Sequence, residues 1–264
     1  MYPSVANAFW KFTSDREGSL DFMYADVLNL VTTGIGNLID NGPRNSTVVS
    51  ESYAAPALGL PWRHRGTREL ASRSEIMEAW AKVKGRADMG KRGGGTYAGY
   101  TDLYLTPEAI KGLEMVRLQQ NEDILRQGFP GYDSLPADAQ LGLLSMAWAA
   151  GPYFYKTFPS FTRAVNSGDF ATAATQSHMK GLNADRQDAN YGLFSKAAEV
   201  LQSGANYANL YWSGVSNITM EQVEKAAEEY APIAAKSVGI GFLGSVGVGA
   251  AGLGAYLLAK KLMR

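Results

Sequence analysis

Three short motifs near the N-terminus carry groups capable of acid–base chemistry: Asp15-Arg16-Glu17-Gly18, Tyr24-Ala25-Asp26 and Thr32-Thr33-Gly34-Ile35-Gly36-Asn37. Glu17 and Asp26 stand nine residues apart, and Thr32 follows six residues later. Two carboxylates facing a shared gap can cut a glycosidic bond. One, protonated, gives its proton to the leaving oxygen; the other, ionised, prepares a water or attacks directly. Environment separates the roles: an apolar pocket raises one carboxyl's pKa, and a wet, hydrogen-bonded site keeps the other low. The same spacing also describes two solvated surface acids. The neighbouring residues favour chemistry, because Leu30 to Gly36 carries no charge. Its Thr-Gly-Ile-Gly reads as a strand leaving a tight turn, where glycine lets backbone approach a ligand closely.

Certain elements must position these groups. Val5, Ala8, Phe9 and Phe12 recur at helical spacing after Ser4, a possible N-cap, so a short helix over 4–13 delivers Glu17. Residues 20–36 read as a β-hairpin or small sheet turning near Val27-Leu28-Asn29. Residues 40–71 look irregular, with Pro43, Pro56, Pro61 and a basic cluster of Arg63, His64, Arg65 and Arg68. A loop this long is functional or poorly ordered. It reads as a solvated insertion, or as a rim for anionic glycan or peptide carboxylates.

Ser72-Arg73-Ser74-Glu75 is a capping box opening a helix with Ile76, Ala79, Trp80 and Val83 on its apolar face. The run from Gly85 to Gly95 is not a phosphate loop. Arg92 stands where Ser or Thr should follow Lys91, and a helix rather than a strand precedes it. It reads as a flexible connection. Thr106-Pro107 starts a long helix whose stripe is Ile110, Leu113, Val116 and Ile124. Ser134 to Gly151 is strongly apolar, and its Met146 and Trp148 read first as core.

Taken together, Glu-Gly, Tyr-x-Asp and Thr-x-Gly-x-Gly resemble the signature of phage lysozymes of the T-even type, glycoside hydrolase family 24. The resemblance covers residues 4–213, with an insertion at about 40–100. It implies an α+β, mostly α, lysozyme-like fold: a small β-hairpin lobe, a long linking helix and a helical lobe. It makes Glu17 the general acid and gives Asp26 and Thr32 the attacking water. It also suggests substrate-binding roles for Asn37, Trp148 and Arg186, the last from a segment that carries a basic residue towards the acid. The family has His where this chain has Asn37, so the role of that position departs from the pattern. The implied activity is inverting muramidase action on peptidoglycan, without metal or cofactor. A lytic transglycosylase, which needs only one acid, is the less favoured relative.

Composition bounds the alternatives. Lys+Arg and Asp+Glu number 25 each in 264 residues, so the chain is neutral, unlike a basic domain built to coat nucleic acid. There is no cysteine, which removes disulfide, thiolate and Cys–zinc chemistry. His64 and His178 show no ligand spacing.

The C-terminus changes character. A second capping box at Thr219 opens an acidic helix, so 216–232 forms a linker ending at Pro232. Ser237 to Ala259 then gives 23 residues without charge, followed by Lys260, Lys261 and Arg264. That length suits a transmembrane helix. Gly241, Ser245 and Gly249 give it a small-residue packing face. A glycine-rich tail buried in a protein assembly is the alternative. The combined expectation is an enzyme of the phage virion or host cell envelope, acting in wall penetration with virion proteins as partners. A lysis enzyme, or a penetration protein with an inactive lysozyme domain, is the competing reading.

Overall fold

A proline in the first helical turn has no N–H to leave unpaired. Pro3 accordingly opens α1 (Pro3–Glu17) in the computed structural model, which describes residues 1–182 and 184–214. The helix is longer at both ends than predicted. Ser4 lies inside it rather than capping it, and its hydroxyl donates to the Ala208 carbonyl at 2.5 Å. Glu17 is the last residue because Gly18 follows at φ 71°, a left-handed conformation that ends a helix. Among the described residues, two compact units form: Glu17–Arg117, and Met1–Arg16 with 118–214. Their boundaries cross α1 at its end and the later helix α5 near its middle.

In the unit Glu17–Arg117, β1 (Leu20–Ala25), β2 (Val31–Gly34) and β3 (Asn37–Leu38) form an antiparallel sheet in that order. Tyr24 faces Thr32 and Ala25 faces Val31, with the turn between them as predicted. The register then shifts towards Leu20, which pairs with Gly34. The Thr33 hydroxyl fills the irregularity by donating to the Phe22 and Leu20 carbonyls, at 3.1 and 3.4 Å.

The stretch expected to be irregular contains α2 (Glu51–Leu58), with Ser50 as its N-cap. Pro56 hid this helix. It cannot donate to the Ser52 carbonyl, which accepts instead from the Asn41 side chain at 3.5 Å. Next, β4 (Arg63–His64) pairs with β5 (Leu103–Tyr104). The basic cluster is tied up within this unit. Arg65 grips both Asp21 carboxylate oxygens, at 2.8 and 3.2 Å. His64 lies 2.9 Å from Asp102 and 3.4 Å from Glu75, and the Asp102 bond chiefly raises its pKa.

The capping box opens α3 (Arg73–Lys84) with both reciprocal bonds formed. Ile76, Ala79, Trp80 and Val83 are buried as predicted, and so is Lys84. The glycine-rich run is not a loose connection. It forms α4 (Ala87–Gly90) and a 3-10 turn (Gly94–Tyr97) that pack on β1. A Cβ at Gly90 would lie 2.6 Å from the Asp26 carbonyl oxygen, so only glycine permits this approach.

Thr106 caps α5 (Pro107–Gly128), accepting the Ala109 N–H at 3.3 Å. The buried line of α5 is Ile110, Glu114, Leu118, Asn121 and Leu125. The predicted Leu113, Val116 and Ile124 are only half-buried. Two polar residues occupy the buried line, so reading apolar residues alone displaced it.

In the other unit, α6 (Ala137–Ala150) is the core, and every residue from Ala137 to Trp148 is buried. On it packs α9 (Ala184–Ser203), which packs in turn on α8 (Phe170–Gln176), and α8 on α7 (Pro159–Asn166). Phe161 meets Phe194 edge to face, with ring centroids 5.0 Å apart. The class is α+β, mostly α, with a small antiparallel sheet. Among the described residues no helix is long and apolar enough to cross a membrane. The predicted segments 216–232 and 237–259 lie outside the described residues.

Candidate active site

The turn after β1 is built by Asp26. Its Oδ1 accepts the N–H groups of Leu28 and Leu30, each at 2.8 Å. Its backbone N–H donates to the Leu30 carbonyl and its carbonyl accepts from Asn29, both at 3.0 Å. An aspartate that takes N–H groups just downstream closes a turn with its side chain. Asn29 adopts φ 55°, a conformation Asn tolerates better than most residues. The turn uses only Oδ1, so Oδ2 of the half-buried Asp26 stays outside it.

Thr32 sits across from Tyr24 and is 5% exposed. Its hydroxyl donates to the Leu30 carbonyl at 3.1 Å, which leaves oxygen lone pairs to accept. Leu30 therefore serves both side chains: its N–H holds Asp26, and its carbonyl holds Thr32.

Tyr24 reports where the two acids act. Its phenol is pushed up to about 12, first by burial, then by the charge of Asp26 and then by that of Glu17. The Gly36 N–H and Arg117 oppose the shift. Two carboxylates from separate elements thus act on one ring. Glu17 itself is exposed at the end of α1.

Arg117 and Glu114 complete this side of the site, and sequence reasoning named neither. Arg117 Nη1 donates to the Gly36 carbonyl at 2.6 Å. Desolvation lowers its pKa to about 10, against the opposing charges of Glu17, Tyr24 and Glu114. Glu114, one turn earlier, is 1% exposed, and among the described residues neither of its carboxyl oxygens has a hydrogen-bond partner. Burial pushes it up to about 8, although Lys111 and Arg117 oppose the shift. The available signal was Ile110-x-x-x-Glu114-x-x-x-Leu118, which places a carboxylate inside an apolar line.

Asn37 is 4% exposed, and its Oδ1 accepts the Ile35 N–H at 3.2 Å, closing the Gly34-Ile35-Gly36 turn. Two further candidates belong to the other unit. Trp148 is 5% exposed and packs on Phe9, with centroids 5.3 Å apart. Arg186 is 2% exposed and donates to the Ser145 carbonyl at 3.1 Å. The structure therefore gathers Glu17, Asp26, Thr32 and Asn37 in one unit, where Tyr24 and Arg117 join them.

Searches against models of protein families, curated proteins and solved structures found no match. Among the described residues no cluster of three His, Asp or Glu side chains could hold a metal ion.

Proposed function

We propose that the chain is a peptidoglycan hydrolase with a lysozyme-like fold, a muramidase that cleaves the β-1,4 bond between N-acetylmuramic acid and N-acetylglucosamine. The observation that carries this reading is the Asp26 turn, which leaves Oδ2 outside its hydrogen bonds and shares Leu30 with the Thr32 hydroxyl. The spacing of Glu17, Asp26 and Thr32, which resembles the phage lysozyme signature, supplies the substrate class.

In this reading Glu17 protonates the bridging oxygen. Asp26 Oδ2 orients and deprotonates a water, and the Thr32 hydroxyl shares that water. Inversion needs room for the water, a carboxyl separation of ~6.5–9.5 Å. The enzyme acts at the host cell envelope as part of a phage virion, anchored through 237–259. Flotation of the full chain with liposomes, beside a chain ending near Tyr230, tests that anchoring.

The direct test of the activity is digestion of purified cell wall, with product ends read by mass spectrometry. New reducing ends support hydrolysis. Anhydro ends would indicate a transglycosylase, and intact glycan would remove the enzymatic reading.

A further inference from the structure

Lys84 and Asp40 form an ion pair whose side chains are both 0% exposed, with Nζ and Oδ2 2.7 Å apart. Lys84 Nζ also donates to the Asn29 carbonyl at 2.7 Å. Asp40 Oδ2 accepts the Val31 N–H at 3.0 Å, and its Oδ1 accepts the Gly42 N–H at 2.7 Å.

These bonds grip two consecutive peptide planes. The Asn29 carbonyl and the Leu30 N–H belong to one planar group. Lys84 holds its oxygen edge, and Asp26 Oδ1 holds its N–H edge at 2.8 Å. The Leu30 carbonyl and the Val31 N–H belong to the next group. Asp40 holds its N–H edge, while its oxygen accepts the Thr32 hydroxyl at 3.1 Å.

We propose that the Lys84–Asp40 pair is a positioning device for the reaction: it fixes the two peptide planes flanking Leu30 and thereby aims Asp26 and Thr32 at the attacking water. The inference rests on the muramidase reading and adds to it residues that touch neither substrate nor water. A buried ion pair is weak evidence for stability, because apolar residues of similar volume often replace it without loss. Apolar residues cannot supply a directed donor on one plane and a directed acceptor on the next. Peptide planes are stiff, so a rotation at the clamped edge moves the opposite edge with it.

The test uses the full chain and compares wild type with Lys84→Met and with Lys84→Met combined with Asp40→Leu, which removes the acceptor as well as the charge. The single change leaves Asp40 buried without its cation and lowers Tm. The double change removes both charges and restores Tm. A purely structural pair predicts that activity returns with the fold. A positioning pair predicts that the refolded double variant keeps its KM while kcat falls about a hundredfold, the loss typical of a small misplacement of reacting groups.

Amide hydrogen exchange provides a readout independent of activity. Leu30 and Val31 should exchange faster in the double variant than in wild type. Wild-type kcat together with wild-type protection at both amides would overturn the proposal. If the double variant fails to fold, Lys84→Met alone is scored by the same two criteria at Leu30, whose peptide plane loses the Lys84 donor. If wild type does not cut cell wall, the muramidase reading falls, and unchanged protection at Leu30 and Val31 would then overturn the clamp separately.

Discussion

The two proposed reacting acids are held in opposite ways. Asp26 is fixed by hydrogen bonds: two backbone N–H groups on one oxygen, a turn closed through Leu30, and beneath it a buried ion pair. Glu17 is exposed, one residue before a left-handed glycine. The charge of Glu17 acts on Arg117, which shares a helix with the buried Glu114. The Asp26 side is thus held by a hydrogen-bonded turn, whereas Glu17 lies at an exposed helix end.

The largest effect should come from breaking the acid side directly. Glu17→Gln should lower cell-wall cleavage by roughly a hundredfold to ten-thousandfold, the usual worth of general acid catalysis. Its Tm should not move, because the side chain is exposed. Asp26→Asn should lose activity on a similar scale while keeping its turn, since the amide oxygen can still accept both N–H groups. Near-full activity in Glu17→Gln would show that the acid is another residue.

The next effect tests the buried carboxyl on the Arg117 side. Glu114 titrates at about 8 in the fold, against an ordinary 4.5 in the unfolded chain. Between those values the fold holds a proton that the unfolded chain has lost, so stability falls as pH rises from 4.5 to 8. The total loss is up to about 5 kcal/mol and levels off above pH 8. Glu114→Gln cannot ionise and should therefore raise Tm relative to wild type at pH 8.5 but not at pH 4.5. Parallel Tm curves for the two proteins across that range would show that Glu114 does not titrate in this window.

Smaller effects probe the hairpin side. Gly90→Ala places a methyl 2.6 Å from the Asp26 carbonyl oxygen and should cost about 2 kcal/mol as α4 is pushed from β1. Urea denaturation would measure it, and an unchanged midpoint would mean that α4 yields freely. Asp26→Ala removes the acceptor of two N–H groups and should cost about 1 kcal/mol. Glu17→Ala should stay within about 0.5 kcal/mol of wild type. Equal losses from those two alanine variants would erase the contrast between the acids.

Much of the frame was legible because local chemistry announces it. Ser72 with Glu75, and Thr106 with Pro107, mark helix starts through capping bonds that need no tertiary partner. The hairpin from Leu20 to Gly34 follows from its short strands and the Asp26–Asn29 turn. What escaped reading depends on burial, which overrides residue type. Pro56 and its neighbouring glycines look like loop, yet α2 forms because Asn41 takes the carbonyl that Pro56 frees. Gly90 looks like slack in the chain and is a contact surface.

Glu114 and Asn121 look like solvent-facing positions but stand in the buried line of α5. Lys84 gave a usable signal, since it lies one turn beyond Trp80 on the apolar face of α3. A cation there demands a buried acceptor, and Asp40 supplies it.

The most direct measurement is the configuration of the sugar released at the moment of cleavage. Proton NMR during digestion of a β-linked glycan fragment reads the new anomeric centre before it equilibrates. The account assigns Glu17 as acid and gives Asp26 a water rather than the carbon, so the α-anomer should appear first. First appearance of the β-anomer would contradict that division of labour and make one carboxylate a nucleophile. No new reducing end at all would contradict the hydrolase itself.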